Sequence, residues 1–514
     1  LGLALLANLV AHDFGYLSSG RLLDRTARAL RSMASLERYR GHFYNWYDTQ
    51  SLKPLLPIYI STVDSGNFAA HLLTLRVGLL ALADQPILPR RVFDGLADTL
   101  GVASESRAGN MAAPHTELCR ELDAAIAAGF TTLGDARRRL DRLAKLADKV
   151  ASSGAAAVAA AADTDSQQDW ARALLDQCRA ARDEVPLLAP WTSLTAPPSG
   201  LEGLMPNARL PTLREIAGLE VQVQPVIAQA LAAERDDARR AWLLALRGSI
   251  AAGSALARQR ISSIEDLARQ ANEFAIPDFD FLYDTNRRLL TIGYNVTERR
   301  RDPSYYDLLA SEARLGSFVA IAQGQLPQES WFALGRLLTR AGGDPVLVSW
   351  SGSMFEYLMP LLVMPDYPAT LLDQTNRAAV RRQIEYGNQR GVPWGISESG
   401  YNMIDAHRNY QYRAFGVPGL GLQRGLADEL VIAPYASALA LMVEPEAACE
   451  NLQRLAAEGV LGQYGMHEAV DYTPSRIPRG QTKAIVRSYM AHHQGMSLLS
   501  IADVLLDHPL QKRF

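Results

Sequence analysis

Leu133-Gly-Asp-Ala-Arg-Arg-Arg-Leu-Asp-Arg-Leu-Ala-Lys-Leu-Ala-Asp-Lys-Val150 sets the expectation for the whole chain. Leu133, Ala136, Leu140, Leu143, Ala147 and Val150 recur at intervals of three and four, with arginine, lysine and aspartate between them. That spacing draws one apolar stripe down a helix of about 3.6 residues per turn. Residues 221–258 and 485–506 read the same way. Around the quoted stretch, residues 105–275 are rich in alanine, arginine and glutamine and poor in aromatics. A Pro/Gly/Ser-rich segment, 189–211, interrupts them and reads as a long loop. The expectation is a helical insertion or subdomain over 105–275, without chemistry of its own.

On either side the character changes. Asp278-Phe-Asp-Phe-Leu-Tyr283, a polar turn, then Leu289-Leu-Thr-Ile-Gly-Tyr294 predicts a short β-hairpin. From there to residue 482, and again at 41–71, aromatics, glycines and carboxylates crowd together. Two distant segments of the same unusual composition are expected to meet in space, on loops carried by a rigid scaffold. No regular strand–helix alternation occurs, so helices with functional loops favour an α/α barrel over a βα barrel. The expected division is 1–104 and 276–514 as two parts of that barrel, around the 105–275 insertion.

The 514 residues are 48% hydrophobic, enough for a large core, and carry a net charge of -3. With no Lys/Arg-rich run, that balance speaks against a nucleic-acid partner. Cys119, Cys178 and Cys449 are scattered, which argues against a disulfide framework or structural zinc and fits a reducing compartment. The apolar opening at 1–10 and the alanine tract at 154–162 are too short to span a bilayer, so no membrane span is expected in this segment. The first residue, Leu1, and the closing polar run give the chain the look of a piece of a longer polypeptide.

Breaking a glycosidic bond takes two carboxyl groups, and sugar rings ask for aromatic platforms and neutral hydrogen-bonding groups. The crowded segments supply both. Glu398, bracketed by Gly395 and Gly400 with Trp394 and Tyr401 beside it, is placed as a loop carboxylate. Glu312 falls in a predicted helix over 306–322 and reads either as a catalytic group or as a partner of Arg314. Glu356, after a Ser-Gly-Ser turn and before Tyr357, reads as a buried structural carboxylate or a sugar contact. Asp48 and Asp64 read as ligands of sugar hydroxyls or as helix caps. Glu468, like Asp471, is similarly open, and Tyr44, Trp46, Trp394, Tyr401 and Tyr472 are platforms or core. Asn67 and Asn402 complete the neutral polar set.

Other chemistries fit less well. His492 and His493 are adjacent in a helical run, where neighbours point to different faces, so a shared metal is not expected. There is no HExxH, no phosphate-binding glycine loop, and no complete dinucleotide pattern after Gly419-x-Gly421. Ser351-Gly-Ser353 is not a nucleophile elbow. No metal or other cofactor is expected.

Six segments together resemble the cyclic β-1,2-glucan synthases. They are Tyr44-Asn-Trp-Tyr-Asp-Thr-Gln-Ser-Leu-Lys-Pro54, Tyr59-Ile-Ser-Thr-Val-Asp-Ser-Gly-Asn67 and Tyr306-Asp-Leu-Leu-Ala-Ser-Glu-Ala-Arg314. The others are Ser353-Met-Phe-Glu-Tyr-Leu-Met-Pro360, Glu468-Ala-Val-Asp-Tyr-Thr-Pro474 and Ala491-His-His-Gln-Gly-Met496. The match covers 40–75 and 280–514, and the alanine-rich middle carries little of it.

The resemblance implies the glycoamylase-like cyclization domain of such a synthase: a mainly α (α/α)6 barrel with a helical insertion and short β-hairpins. It implies an anomer-retaining transglycosylase that cuts linear β-1,2-glucan and joins the new end to the chain's own non-reducing end. By motif, Glu398 would be the nucleophile. Glu312 would be the general acid/base, acting directly or through a substrate hydroxyl, with Glu356 and Asp64 in reserve. Glycosyltransferase and phosphorylase-like regions would flank the domain, at the cytoplasmic face of a bacterial inner membrane. Two rivals stand beside this: an endo-β-1,2-glucanase on the same fold, and a non-catalytic module that binds glucan and measures its length. Carboxylates crowded into glycine-flanked loops favour an enzyme.

Overall fold

The structure, a computed structural model, describes residues 1–105, 113–130, 132–158, 165–206 and 210–514. The chain is mainly α-helical, with short strands and no closed β-barrel among the described residues. It divides into two compact units. One comprises Leu1–Ala7, Leu30–Val77 and Gln270–Phe514, the other Asn8–Ala29 and Gly78–Arg269. The stretch expected to be poor in chemistry falls in the second unit as far as residue 269.

In that second unit the apolar stripe is buried in full. Leu133, Ala136, Leu140, Leu143, Ala147 and Val150 are each 2% exposed or less, within the helix Leu133–Val158. Its main partner is the helix Asp165–Leu188, which buries Leu174, Cys178, Ala181 and Val185 at the same periodicity. Each fully buried leucine contributes about 1.5–3 kcal/mol, so the pairing rests on apolar area. A buried Glu184 is paired with Arg260 and also accepts from Ser19 Oγ at 2.9 Å.

The expected helix over 221–258 is broken in two, Leu213–Ala233 and Asp237–Phe274. Glu234 accepts from the backbone N–H of Arg235 and Asp236, and Asp236 caps Arg239 N at 2.9 Å. Side-chain acceptors at the junction satisfy the backbone better than a continued helix would. The loop at 189–211 holds two short 3-10 turns, Pro190–Ser193 and Glu202–Leu204, and its residues 207–209 lie outside the described set. The alanine tract at 154–162 passes outside it from residue 159.

Two helical stretches, Thr62–Asp84 and Leu213–Ala233, have the length and mean hydropathy of a spanning helix. The first is largely buried within the protein. The second carries Arg214, Glu215 and Glu220 near its start. The opening helix, Gly2–Asp13, buries Leu5, Leu6, Leu9 and Val10.

The first unit is where short strands hold loops in place. Tyr59–Ser61 pairs with Gly293–Asn295, which pairs with Arg300–Arg301, joining the two aromatic-rich parts of the sequence. The predicted hairpin is present as Tyr283–Asp284 against Leu289–Leu290. Residues 485–506 are not one helix. Ala484–Val486 is a strand beside Ala469–Asp471, and the helix runs only over Ala491–Leu505. β-Branched Ile485 and Val486 fit the sheet edge, where packing overrides a helical period.

Candidate active site

Two helix starts carry the first carboxylates. The helices Thr62–Ala81 and Ala313–Ala322 cross at Gly66 and Gly316. A Cβ on Gly66 would stand 2.3 Å from the Gly316 Cα, so neither helix could come this close with a side chain there. The crossing brings Asp64, exposed in the first turn of one helix, near Glu312 at the start of the other. Glu312 is not inside a helix over 306–322 as expected. It is the residue before Ala313, and Ser311 ahead of it has φ 51°. A serine in the left-handed region is uncommon, and such positions cluster at functional sites.

Glu398 ends a segment fixed by its backbone. Gln383 clamps both the N–H and the carbonyl of Ile396 at 2.8 Å, and Asn451 does the same for Trp394 at 3.1 and 2.7 Å. Gly395, at φ 121°, lies where a Cβ would be 2.9 Å from Ser437 Oγ. The Tyr435 hydroxyl donates to the Glu398 carbonyl at 2.9 Å and lies 2.8 Å from Ser397 Oγ. This strapping leaves the Glu398 side chain partly open, where the Tyr412 hydroxyl donates to Oε2 at 3.2 Å.

Both carboxyls are pushed well above the usual range. Burial raises Glu312 to about 8, helped by the charges of Asp64 and Glu398, while the Ser311 hydroxyl pulls the other way. Burial likewise raises Glu398 to about 7, with Glu356 and Asp64 adding to it and Tyr412 opposing. A helix start favours an anion by only about 0.3–1 kcal/mol, so at Glu312 desolvation and like charge win.

Glu312, Asp64, Asn67, Tyr44 and Trp46 line one cavity of about 580 Å³, with His492 at its wall. That volume lies within the usual range of ligand pockets, about 300–1,000 Å³. Trp46 is 65% exposed and Tyr44 is buried, so the indole has the free face. Asn67 Oδ1 is buried there without a hydrogen-bond partner.

The remaining predicted site residues turn toward protein. Glu356 accepts from Ser349 Oγ at 2.8 Å and from Ser351 and Ser353, closing a capping box on the helix Met354–Leu358. Arg314 is buried and donates to the carbonyls of Glu356 and Tyr357. The Tyr357 hydroxyl lies 2.7 Å from the Leu420 carbonyl, and Trp394 is 5% exposed, so both belong to the core. Asp48 holds a surface turn through Ser51 N at 2.6 Å. Tyr472 donates to Glu458, and Asn402 Nδ2 donates to the Arg476 carbonyl at 2.6 Å. Arg476 also lies 4.8 Å over the Tyr401 ring. In the structure each of these side chains is engaged by the protein itself.

Glu468 is buried, accepting from Gly400 N at 2.9 Å and facing His493 Nδ1 at 2.9 Å. Nothing in the sequence singles out Tyr412 or Tyr435, and His493 stands out only in the Ala491–Met496 motif and as half of an adjacent histidine pair. No spacing links residues 412, 435 and 493, and the His492-His493 pair is weighed there only as a metal site.

The sequence and fold have known relatives. The Glycoamylase family model, a glucoamylase family, matches residues 304–514. The cyclic beta-(1,2)-glucan synthase NdvB of Rhizobium meliloti (strain 1021) is 36% identical over 522 residues, covering 100% of this chain. The chain is homologous to that cyclic β-1,2-glucan synthase. It spans 16% of the synthase's length.

The glucan-synthase match takes in Trp46 and Asp64 as well as Glu312 and Glu398, whereas the Glycoamylase match begins after the first two. Among solved structures, a beta-1,2-glucanase from Parabacteroides distasonis aligns at TM-score 0.44 and 10% identity, over 100% of this chain and 52% of its own. An endo-beta-1,2-glucanase from Talaromyces funiculosus with sophorose aligns at TM-score 0.38 and 14% identity, over 67% and 72%.

Proposed function

We propose that this chain is a β-1,2-glucan-processing enzyme, and specifically an anomer-retaining transglycosylase that closes linear β-1,2-glucan into rings. The observation that carries it is the carboxyl pair, Glu312 at about 8 and Glu398 at about 7, each raised by burial and by neighbouring carboxylates. Two titratable groups pushed to different values by one site are the signature of an acid and its partner base or nucleophile. Homology to a cyclic β-1,2-glucan synthase supports the substrate class.

Near neutral pH Glu312 keeps its proton while about half of Glu398 is ionised. The Glu398 carboxylate attacks the anomeric carbon, the glycosidic C–O bond breaks, and the leaving oxygen takes the Glu312 proton, directly or through a substrate hydroxyl. In the second step the chain's own non-reducing-end hydroxyl attacks that carbon, returns a proton to Glu312, and frees Glu398. Water, at ~55 M, is outcompeted only by an acceptor held at high effective concentration. Trp46 on the cavity wall is the platform offered for holding sugar. The same reading sets the chain within a longer polypeptide at the cytoplasmic face of a bacterial inner membrane. Glycosyltransferase and phosphorylase-like regions would be its neighbours there.

The test is incubation with linear β-1,2-glucan, digestion with an exo-acting β-glucosidase, and mass spectrometry of what survives. Resistant products lighter by one water than the corresponding linear chains are expected. Linear fragments alone would make the protein a glucanase, and uncut glucan that still binds would make it a length-measuring module.

A further inference from the structure

Tyr412 lies on the strand Tyr410–Arg413, paired with the strand Ser399–Ile404 that begins directly after Glu398. Its hydroxyl stands at a junction: 3.2 Å from Glu398 Oε2, 3.3 Å from His493 Nε2 and 3.4 Å from His492 Nε2. Behind it the imidazole of His493 is 1% exposed and locked on two sides. Its Nδ1 is 2.9 and 3.0 Å from the two Glu468 oxygens, and the Tyr435 ring stacks on it at 3.7 Å with planes 10° apart. The two Glu468 oxygens accept from Nδ1, and Nε2 faces the Tyr412 hydroxyl.

We propose that Glu468, His493 and Tyr412 form a hydrogen-bonded relay that holds Glu398 as a carboxylate aimed at the substrate. In it His493, with a hydrogen on both ring nitrogens, donates to Glu468 and to the Tyr412 oxygen, while Tyr412 donates its one proton to Glu398. Tyr412 touches Glu398 and the other two position Tyr412. This rests on the reading of Glu398 as the acting carboxylate. A tyrosine has one proton to give, and it bonds a charged acceptor about twice as strongly as a neutral one. The contact therefore favours Glu398 free over Glu398 esterified, and helps the second step release it. Burial and the charges of Glu398 and Glu468 hold the Tyr412 phenol above its ordinary range, so it remains a donor.

Tyr412, from the partner strand, meets the Glu398 carboxyl, Tyr435 from the helix Pro434–Ala440 meets its backbone carbonyl, and His492 and His493 from Ala491–Leu505 meet the Tyr412 hydroxyl. Glu356 and Asp64 act on it from two further helices, and its own charge acts on Glu312. Among these, Tyr412 is the hydrogen bond that lowers Glu398.

The experiment is the pH profile of kcat/KM for glucan cleavage in the wild-type chain, Tyr412→Phe, His493→Gln, Glu468→Gln and Glu398→Gln. Removing a hydrogen bond to a charged group moves its pKa by about one unit. In Tyr412→Phe the acidic limb is expected to climb by that amount, whatever the plateau, so that relative activity at pH 6 falls about tenfold further than at pH 9. Glu468→Gln, which keeps an oxygen for Gly400, is expected to shift the limb in the same direction by less. His493→Gln, which keeps an amide donor toward Tyr412, is expected to shift it least. An unmoved limb in Tyr412→Phe, with Glu398→Gln inactive, would overturn the relay alone. Cleavage surviving in Glu398→Gln would overturn it together with the proposed function.

Discussion

Glu184 and Glu312 are both buried glutamates, one in each unit, and the surroundings give them opposite fates. Glu184, with its side chain 8% exposed, meets Arg260, Ser19 and the backbone of Gly20. Glu312 meets the Ser311 hydroxyl and the charges of Asp64 and Glu398, and it is driven up to about 8. Glu356 follows a third course, ringed by the hydroxyls of Ser349, Ser351 and Ser353. A buried acid given a cation or a full set of donors is structural, while one left among other acids is poised to exchange a proton. The helical unit gives Glu184 a cation, and the loop-bearing unit leaves Glu312 among other acids.

That contrast breaks if the poised acids prove dispensable. Replacing Glu398 with glutamine is expected to lower glucan cleavage by about a thousandfold or more, as loss of a nucleophile does. Initial rates on linear glucan at pH 7 would read it. The neutralised acid is tested from the other side. Arg260→Ala strands Glu184 in the core and is expected to destabilise the fold by about 3–5 kcal/mol in urea unfolding, with the limbs of the activity profile unmoved.

Glu312 gives the third test. Its folded value of about 8 lies above the reference 4.5, so the folded chain holds a proton that the unfolded chain has released between those values. The associated stability is complete below pH 4.5 and is lost as pH rises through 8. Glu312→Gln is therefore expected to be more stable than wild type at pH 9 by about 2–4 kcal/mol and similar to it at pH 4, at the expense of activity. Thermal melts across that range decide it. The smallest effect belongs to the helical unit. Thr212→Ala removes the capping box with Glu215 and is expected to lower stability by about 1 kcal/mol without touching cleavage.

Much of this was legible in residues. The stripe from Leu133 to Val150 is core, as its spacing requires, because a helix buries whatever recurs every three or four positions. The hairpin at Tyr283 and Leu290 and the meeting of the two aromatic-rich segments also follow from the sequence. Where spacing misled, a local acceptor or a strand partner outweighed it. Glu234 and Asp236 ended a helix that periodicity continued, and Ala469–Asp471 drew Ala484–Val486 into a sheet.

The sequence by itself determined a mainly helical chain, the aromatic- and carboxylate-rich segments that carry the chemistry, and the family resemblance. Only the tertiary structure decided which acids are poised. Glu312, Glu356, Glu398 and Glu468 are alike as glutamates among glycines, serines and aromatics. They separate through what surrounds each carboxyl: three serines at Glu356, His493 at Glu468, other acids at Glu312 and Glu398. A carboxyl's proton affinity is set by the solvent it loses and the charges it meets, and residues distant in sequence supply both.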